Sequence, residues 1–217
     1  MLVGDRMSHP VLSVSPDLPV QDALAQMRKE KVSRYPVINK SGKLVGIVSD
    51  DDLLNASPSE ASSLSVWETN YLLSKITVER VMSKTVFTVT ENTSIEEAAR
   101  SMADHRVSGL PVMRGDDIVG MITQTDIFKL FLEMLGARET GIRVAAIVKE
   151  EPGALHHITQ AIDEAGGNII ALSTFSGIST ADRELTIKVS PMDTTVLRKA
   201  LLPYVVEIRD LREVKER

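Results

Sequence analysis

The stretch "YPVINKSGKLVGIVSDDDL" at residues 35–53 is written a second time, in looser form, as "LPVMRGDDIVGMITQTDIF" at residues 110–128. Each copy has a bulky apolar residue before Pro-Val, then a glycine, then a hydroxyl residue followed three places later by Asp. Working outward from the pair, a shift of 75 places aligns Met7-Ser8 with Met82-Ser83, Val14 with Val89, Ala23 with Ala98, Met27 with Met102 and Val32-Ser33 with Val107-Ser108. One residue is then lost, so that Gly46, Ser49 and Asp52 align with Gly120, Thr123 and Asp126. The chain contains an internal duplication, and a repeat of this kind sets the fold before any local feature does.

Each copy has the same order of elements. Val20, Ala23, Leu24 and Met27, mirrored by Ile95, Ala98, Ala99 and Met102, recur at i, i+3, i+4 and i+7, which predicts an amphipathic helix. Ser94 with Glu97 predicts a capping box before the second of these helices, and Pro19 precedes the first. Two short apolar runs follow, "YPVIN" and "KLVGIVS", then "LPVMR" and "DIVGMIT", joined by "KSG" and "GDD". They predict a hairpin with a tight turn. A further helix opens at Asp50 and at Gln124.

The chain has 217 residues, 43% of them hydrophobic, a net charge of −5 and no cysteine. That length and apolar content support a buried core of two or three small domains. The scattered charges offer no polyanion-binding face, so no nucleic-acid partner is expected. Without cysteine there are no disulfides, thiolate metal sites or cysteine nucleophiles, which fits a reducing compartment. No apolar run reaches the length of a signal peptide or a membrane span, so a cytoplasmic protein with no membrane partner is expected.

Between the copies, "NASPSEASS" reads as a loop leading into a connecting helix in which Trp67 and Tyr71 serve packing. Beyond Gly141 the pattern changes. "GIRVAAIVKE" alternates Ile142, Val144, Ala146 and Val148 as a half-buried strand, and "PGALHHITQAIDEAGG" reads as a helix with Leu155, Ile158 and Ile162 on one face. "NIIALSTFS" and "RELTIKV" are strands, "DTTVLRKALL" a helix and "YVVEIRDL" a last strand. The order βαββαβ is that of a ferredoxin-like domain. The fold class is therefore α+β, with repeat 1 over residues 1–56, a linker and connecting helix over 57–76, repeat 2 over 77–136 and a third domain over 141–213.

Ser49 to Asp52 and Thr123 to Asp126 each lie where a strand gives way to a helix. A hydroxyl beside unsatisfied amides at a helix start can meet a phosphate, and a carboxylate one turn on can take both hydroxyls of a ribose. Val32, Tyr35 and Pro36, with Val107, Leu110 and Pro111, would offer apolar surface for a base. Ser33 and Ser108 stand in the same stretches. Arg34 is the better phosphate partner because its guanidinium forks to two oxygens, whereas the second copy has Gly109 there and Arg106 nearby. The other reading is that Ser49 and Thr123 only cap helices, with Asp52 and Asp126 satisfying first-turn amides.

These residues carry a resemblance. Tyr35-Pro36-Val37 with Gly46 to Asp52, and Leu110-Pro111-Val112 with Gly120 to Asp126, are similar to the signatures of a tandem CBS-domain pair, over residues 1 to about 136. The resemblance implies a pseudo-twofold pair of β-α-β-β-α repeats with two clefts for adenine nucleotides, AMP, ADP or ATP, and in some members S-adenosylmethionine. It implies that Ser49, Asp52, Thr123 and Asp126 hold ribose and phosphate, and that Val11 and Val86, at the starts of the first strands, flank the base. The third domain resembles an ACT domain through Pro152-Gly153-Ala154-Leu155 and Gly166-Gly167-Asn168-Ile169. That implies either an effector such as an amino acid at Glu151, Gly153, Ala154 and Asn168, or dimerisation alone. A CBS pair followed by one ACT domain is similar to the acetoin-utilisation AcuB-type proteins.

No catalytic constellation stands beside these. His9, His105, His156 and His157 have no partner at zinc or triad spacing, and no phosphate-binding glycine loop of either common type occurs. The expectation is a non-catalytic regulator with no required cofactor or metal, forming a homodimer and acting on an unidentified partner protein. The alternative is a dimerisation adaptor whose clefts are vestigial.

Overall fold

The computed structural model describes residues 1–56 and 75–215. The expected connecting helix with Trp67 and Tyr71 lies outside them. The chain divides into two compact units, Met1–Ile127 and Phe128–Arg217.

In the first unit, α1 (Val20–Glu30) is followed by the hairpin β1 (Arg34–Ile38) and β2 (Leu44–Ser49), then α2 (Asp50–Asn55). The second copy supplies a short α3 (Val78–Val81), then β3 (Val89–Thr90), α4 (Ile95–His105), the hairpin β4 (Gly109–Arg114) and β5 (Asp117–Thr123), and α5 (Gln124–Met134), which runs across the division into the second unit. Val20, Ala23 and Met27 of α1, and Ile95, Ala98 and Met102 of α4, are the buried positions of their helices, as the periodicity requires. Ser94 Oγ accepts from the Glu97 amide, but the reciprocal bond of a full capping box is absent from the described contacts.

The first strand of each copy is shorter than its sequence suggested. Copy 1 has one parallel bridge, Val14 with Val37, and copy 2 has two residues, Val89 and Thr90, beside β4. Val11 and Val86 therefore lie ahead of strand structure and do not begin it. The second hairpin turns tightly at Gly115 and Asp116, whereas the first takes a longer loop in which Asn39 Oδ1 accepts from the amides of Ser41 and Lys43.

The copies exchange their leading segments. Ser8 bridges Met121 in the second hairpin, and at the matching place Ser83 bridges Ile47 in the first. Val78 of α3 joins the core of Val20, Met27, Tyr35, Val37, Val48 and Leu53. Close approach explains the glycine of each repeat: a Cβ on Gly46 would stand 2.5 Å from Met82 Sδ and 3.0 Å from the Ser83 carbonyl, and one on Gly120 would collide with Met7.

The second unit contains β6 (Gly141–Lys149), α6 (Ala154–Glu164), β7 (Asn168–Ser176), β8 (Asp182–Ser190), α7 (Thr194–Leu201) and β9 (Glu207–Val214). Its antiparallel sheet runs β7-β8-β6-β9, the ferredoxin-like order. Ile142, Val144, Ile187 and Val189 pack with Ile158 and Ile162 of α6 and Leu197 and Leu201 of α7. Two expectations are corrected. Leu155 is exposed at the start of α6, and β6 is buried on both faces, since Ala145 and Ile147 are covered as well. The strand lies between β8 and β9 and carries Ala145 and Ile147 on the face away from α6 and α7, so it does not alternate in burial.

Candidate functional site

The exchange of leading segments builds a cleft of about 260 Å³ between the copies. Arg34, Ser49 and Asp52 come to it from copy 1, while Val86, Arg106, Val107 and Ser108 come from copy 2. Seven residues singled out in the sequence thus line one cleft. Ser83, Thr85 and Phe87 complete it from the exchanged segment, with Ile47 and Gly109.

The turn after β2 fixes Ser49 and Asp52. Ser49 Oγ accepts from the Asp52 amide at 3.2 Å, while Asp52 Oδ2 accepts from the Ser49 amide at 2.8 Å and its hydroxyl at 2.7 Å. Thr123 and Asp126 repeat this arrangement, with Asp126 Oδ2 accepting at 3.0 Å and 2.6 Å. Both pairs therefore cap helices. The cap uses one oxygen of each carboxylate; Asp52 Oδ1 makes no hydrogen bond among the described residues. That oxygen retains two acceptor lone pairs.

Arg34 begins β1 and crosses to the second copy. Its Nη1 donates to Ser108 Oγ, its Nη2 to Ser33 Oγ at 3.3 Å, and its Nε is buried without a partner. Burial lowers its pKa, and the charges of Asp50, Asp51 and Asp52 oppose that. A buried donor without a partner is costly, and it is the guanidinium's place on the cleft wall that suits it to an anion's oxygens. Gly109, its counterpart in the repeat, makes room: a Cβ there would lie 2.8 Å from Arg34 Cδ. Phe87, also at the cleft, packs its ring on His105 with centroids 3.8 Å apart.

Other expected residues are placed elsewhere. Tyr35 and Leu110 are fully buried, each one residue into a strand whose faces alternate, so they pack in the cores and offer no surface to a base. The Tyr35 hydroxyl donates to Glu30, which, after burial, helps hold its pKa up. Pro36 and Pro111 are buried too. Val11, Val32, Ser33, Thr123 and Asp126 do not line this cleft. The members missed in the sequence came with the exchanged segment. The repeated Met-Ser pair marked Ser83, whereas nothing marked Phe87, whose counterpart is Leu12.

In the second unit a groove of about 530 Å³ is lined by Glu151, Gly153 and Ala154 together with Thr174 and Arg183. Gly153 has a φ of +88° and sits at the N-cap of α6, a conformation that favours glycine. Asn168 is not among the lining residues; it starts β7 opposite Ser190.

Comparison with known proteins bears on the first unit. The CBS-domain family model matches residues 3–59 and 78–133. The chain spans about a quarter of the length of the curated enzymes it matches first; one, the L-aspartate semialdehyde sulfurtransferase of Methanocaldococcus jannaschii, is 29% identical over 133 residues, 60% of this chain and 23% of that protein. Among solved structures, CBSX2 in complex with AMP is 31% identical with a TM-score of 0.52, covering 61% of this chain and 97% of the other. A CBS domain pair with 5′-methylthioadenosine and S-adenosyl-L-methionine is 28% identical with a TM-score of 0.51, covering 60% and 95%. A putative acetoin utilization protein (AcuB) from Vibrio cholerae is 27% identical with a TM-score of 0.52, covering 64% and 96%.

Proposed function

The chain belongs to the CBS-domain family, whose model spans more than half of it, and from that premise we propose that it is a non-catalytic regulator sensing adenine nucleotides. AMP, ADP or ATP occupies the cleft between the copies, and S-adenosylmethionine is a further ligand of the same class. The observation that carries the reading is the convergence of Arg34, Ser49, Asp52 and Ser108 on one cleft from two copies. Asp52 Oδ1 meets the ribose hydroxyls, and the Arg34 guanidinium meets the phosphate. Solved CBS pairs with AMP and with S-adenosyl-L-methionine support this ligand class.

Since the cleft joins the copies, a ligand that prefers one arrangement of them shifts their equilibrium by its differential affinity alone. The output is a partner protein that reads that arrangement, and the likeness to the AcuB structure supports a place in acetoin or acetate metabolism. The second unit is proposed to be an ACT domain that takes a small effector at the groove of Glu151, Gly153 and Ala154, with the assembly a homodimer. Thermal shift with AMP, ADP, ATP and S-adenosylmethionine tests the ligand: at 100 times the dissociation constant it adds about 2.7 kcal/mol of stability. No shift with any of them would favour the second reading, a dimerisation adaptor, to which the closed caps at Asp52 and Asp126 lend support.

A further inference from the structure

Three cations stand in one row across the second unit's sheet. Lys188 of β8 is the direct partner of Arg143 in β6, and Arg143 is the direct partner of Arg212 in β9. All three lie on the face away from the core of Ile142, Val144, Ile187 and Val189. Like charges directly opposite one another destabilise a sheet. Asp210 offsets part of this, accepting from Arg143 Nη1 at 2.6 Å and lying 3.2 Å from Arg212 Nε.

Lys188 has less compensation. It is 4% exposed, the one buried charged side chain among the described residues. Its Nζ donates to the Gly136 carbonyl at 2.7 Å, its single hydrogen bond among them. That carbonyl follows the end of α5, where a cation is favoured, but capping uses one of three donors. Burial lowers the Lys188 pKa, with the charge of Glu139 opposing. A buried charge with one neutral acceptor carries a desolvation cost that a second, charged acceptor would offset.

A cavity of about 340 Å³ opens beside these groups, lined also by the apolar Leu135, Ala137 and Val214 and by Ser173 and Thr186. Arg143, Lys188 and Arg212 all line it. We propose that this cavity binds a small aliphatic carboxylate, its anionic head between Lys188 and the two arginines and its hydrocarbon tail against Leu135 and Val214. An α-amino acid binds less well, because the three cations outnumber the carboxylates of Asp210 and Glu139 there and its ammonium would add a fourth. The site is distinct from the groove at Gly153, with which it shares no lining residue.

Calorimetry on the full chain, with no nucleotide present, tests this with 4-methylpentanoate, with leucine as the same skeleton carrying an ammonium, and with inorganic phosphate. The expected result is saturable binding of 4-methylpentanoate, one per chain, with weaker binding of leucine and none of phosphate at equal concentration. Lys188→Met and Arg212→Gln should each weaken it by about tenfold or more. If Lys188→Met fails to fold, Arg212→Gln carries the comparison. No heat with 4-methylpentanoate at concentrations on the order of 10 mM, binding of leucine with equal affinity, binding of phosphate alone, or unchanged affinity in the folded variants would overturn the assignment.

Discussion

Arg34 of the first copy donates through Nη1 to Ser108 Oγ of the second, linking two residues 74 positions apart in a chain whose copies lie about that far from each other. The bond takes the guanidinium out of its own hairpin and over Gly109, its counterpart in the repeat. One arginine thus serves a place where strict symmetry would put two.

Its removal gives the first prediction. Arg34→Ala should weaken ATP and ADP by about tenfold or more while leaving adenosine little changed, because a charge-assisted fork to phosphate is lost and no contact to the base. Gly109→Ala should act in the same direction, since its Cβ would fall within 3.0 Å of Arg34 Nη1. Calorimetry with the three ligands decides it; an equal loss for adenosine would make Arg34 a packing residue.

Asp52 and Asp126 separate capping from binding. Each closes the same cap, so Asp52→Ala and Asp126→Ala should each cost about 1 kcal/mol in urea unfolding. Only Asp52 lines the cleft with Arg34, so only its replacement should lower affinity there. Two variants with equal nucleotide affinity would leave Asp52 a cap and nothing more.

The repeat glycines should not tolerate a methyl group. Gly46→Ala places Cβ against Met82 Sδ and the Ser83 backbone, and overpacking of this kind costs about 1–3 kcal/mol. Gly120→Ala should behave alike at Met7. A loss below about 0.5 kcal/mol in denaturant unfolding would show that the exchanged segments yield freely.

Glu91 and Arg114 predict a pH dependence. Two hydrogen bonds at 2.7 Å and 2.6 Å from Arg114 hold the Glu91 carboxyl below its ordinary value of 4.5. A depressed carboxyl binds fewer protons folded than unfolded, so its stabilisation is present above that value and is lost as the pH falls through the lowered one. The stability difference between the protein and Glu91→Gln should be constant near neutrality and vanish in acid. A difference that persists in acid would mean the pair does not set it.

The duplication, both hairpins, the amphipathic helix of each copy and the βαββαβ order were legible because they rest on repetition, periodicity and turn chemistry, while the connecting helix lies outside the described residues. The exchange of leading segments was not. Ser8 and Ser83 pair with Met121 and Ile47, contacts of long sequence separation that leave no period, and this is why Phe87 and Thr85 went unnoticed at the cleft. Tyr35 and Leu110 were misplaced for a different reason. An apolar residue beside Arg34 looks available to a base until the pleat sends it to the other face. The cations of the second unit were equally hidden, since Arg143, Lys188 and Arg212 meet only through strand register.

The most direct test of nucleotide sensing is an AMP titration of the full chain by calorimetry, with Asp52→Ala alongside. The account predicts saturable binding that Asp52→Ala weakens by about tenfold or more, the scale of hydrogen bonds lost to a charged group. Absence of heat with AMP, and then with ADP, ATP and S-adenosylmethionine, at concentrations on the order of 1 mM would contradict it.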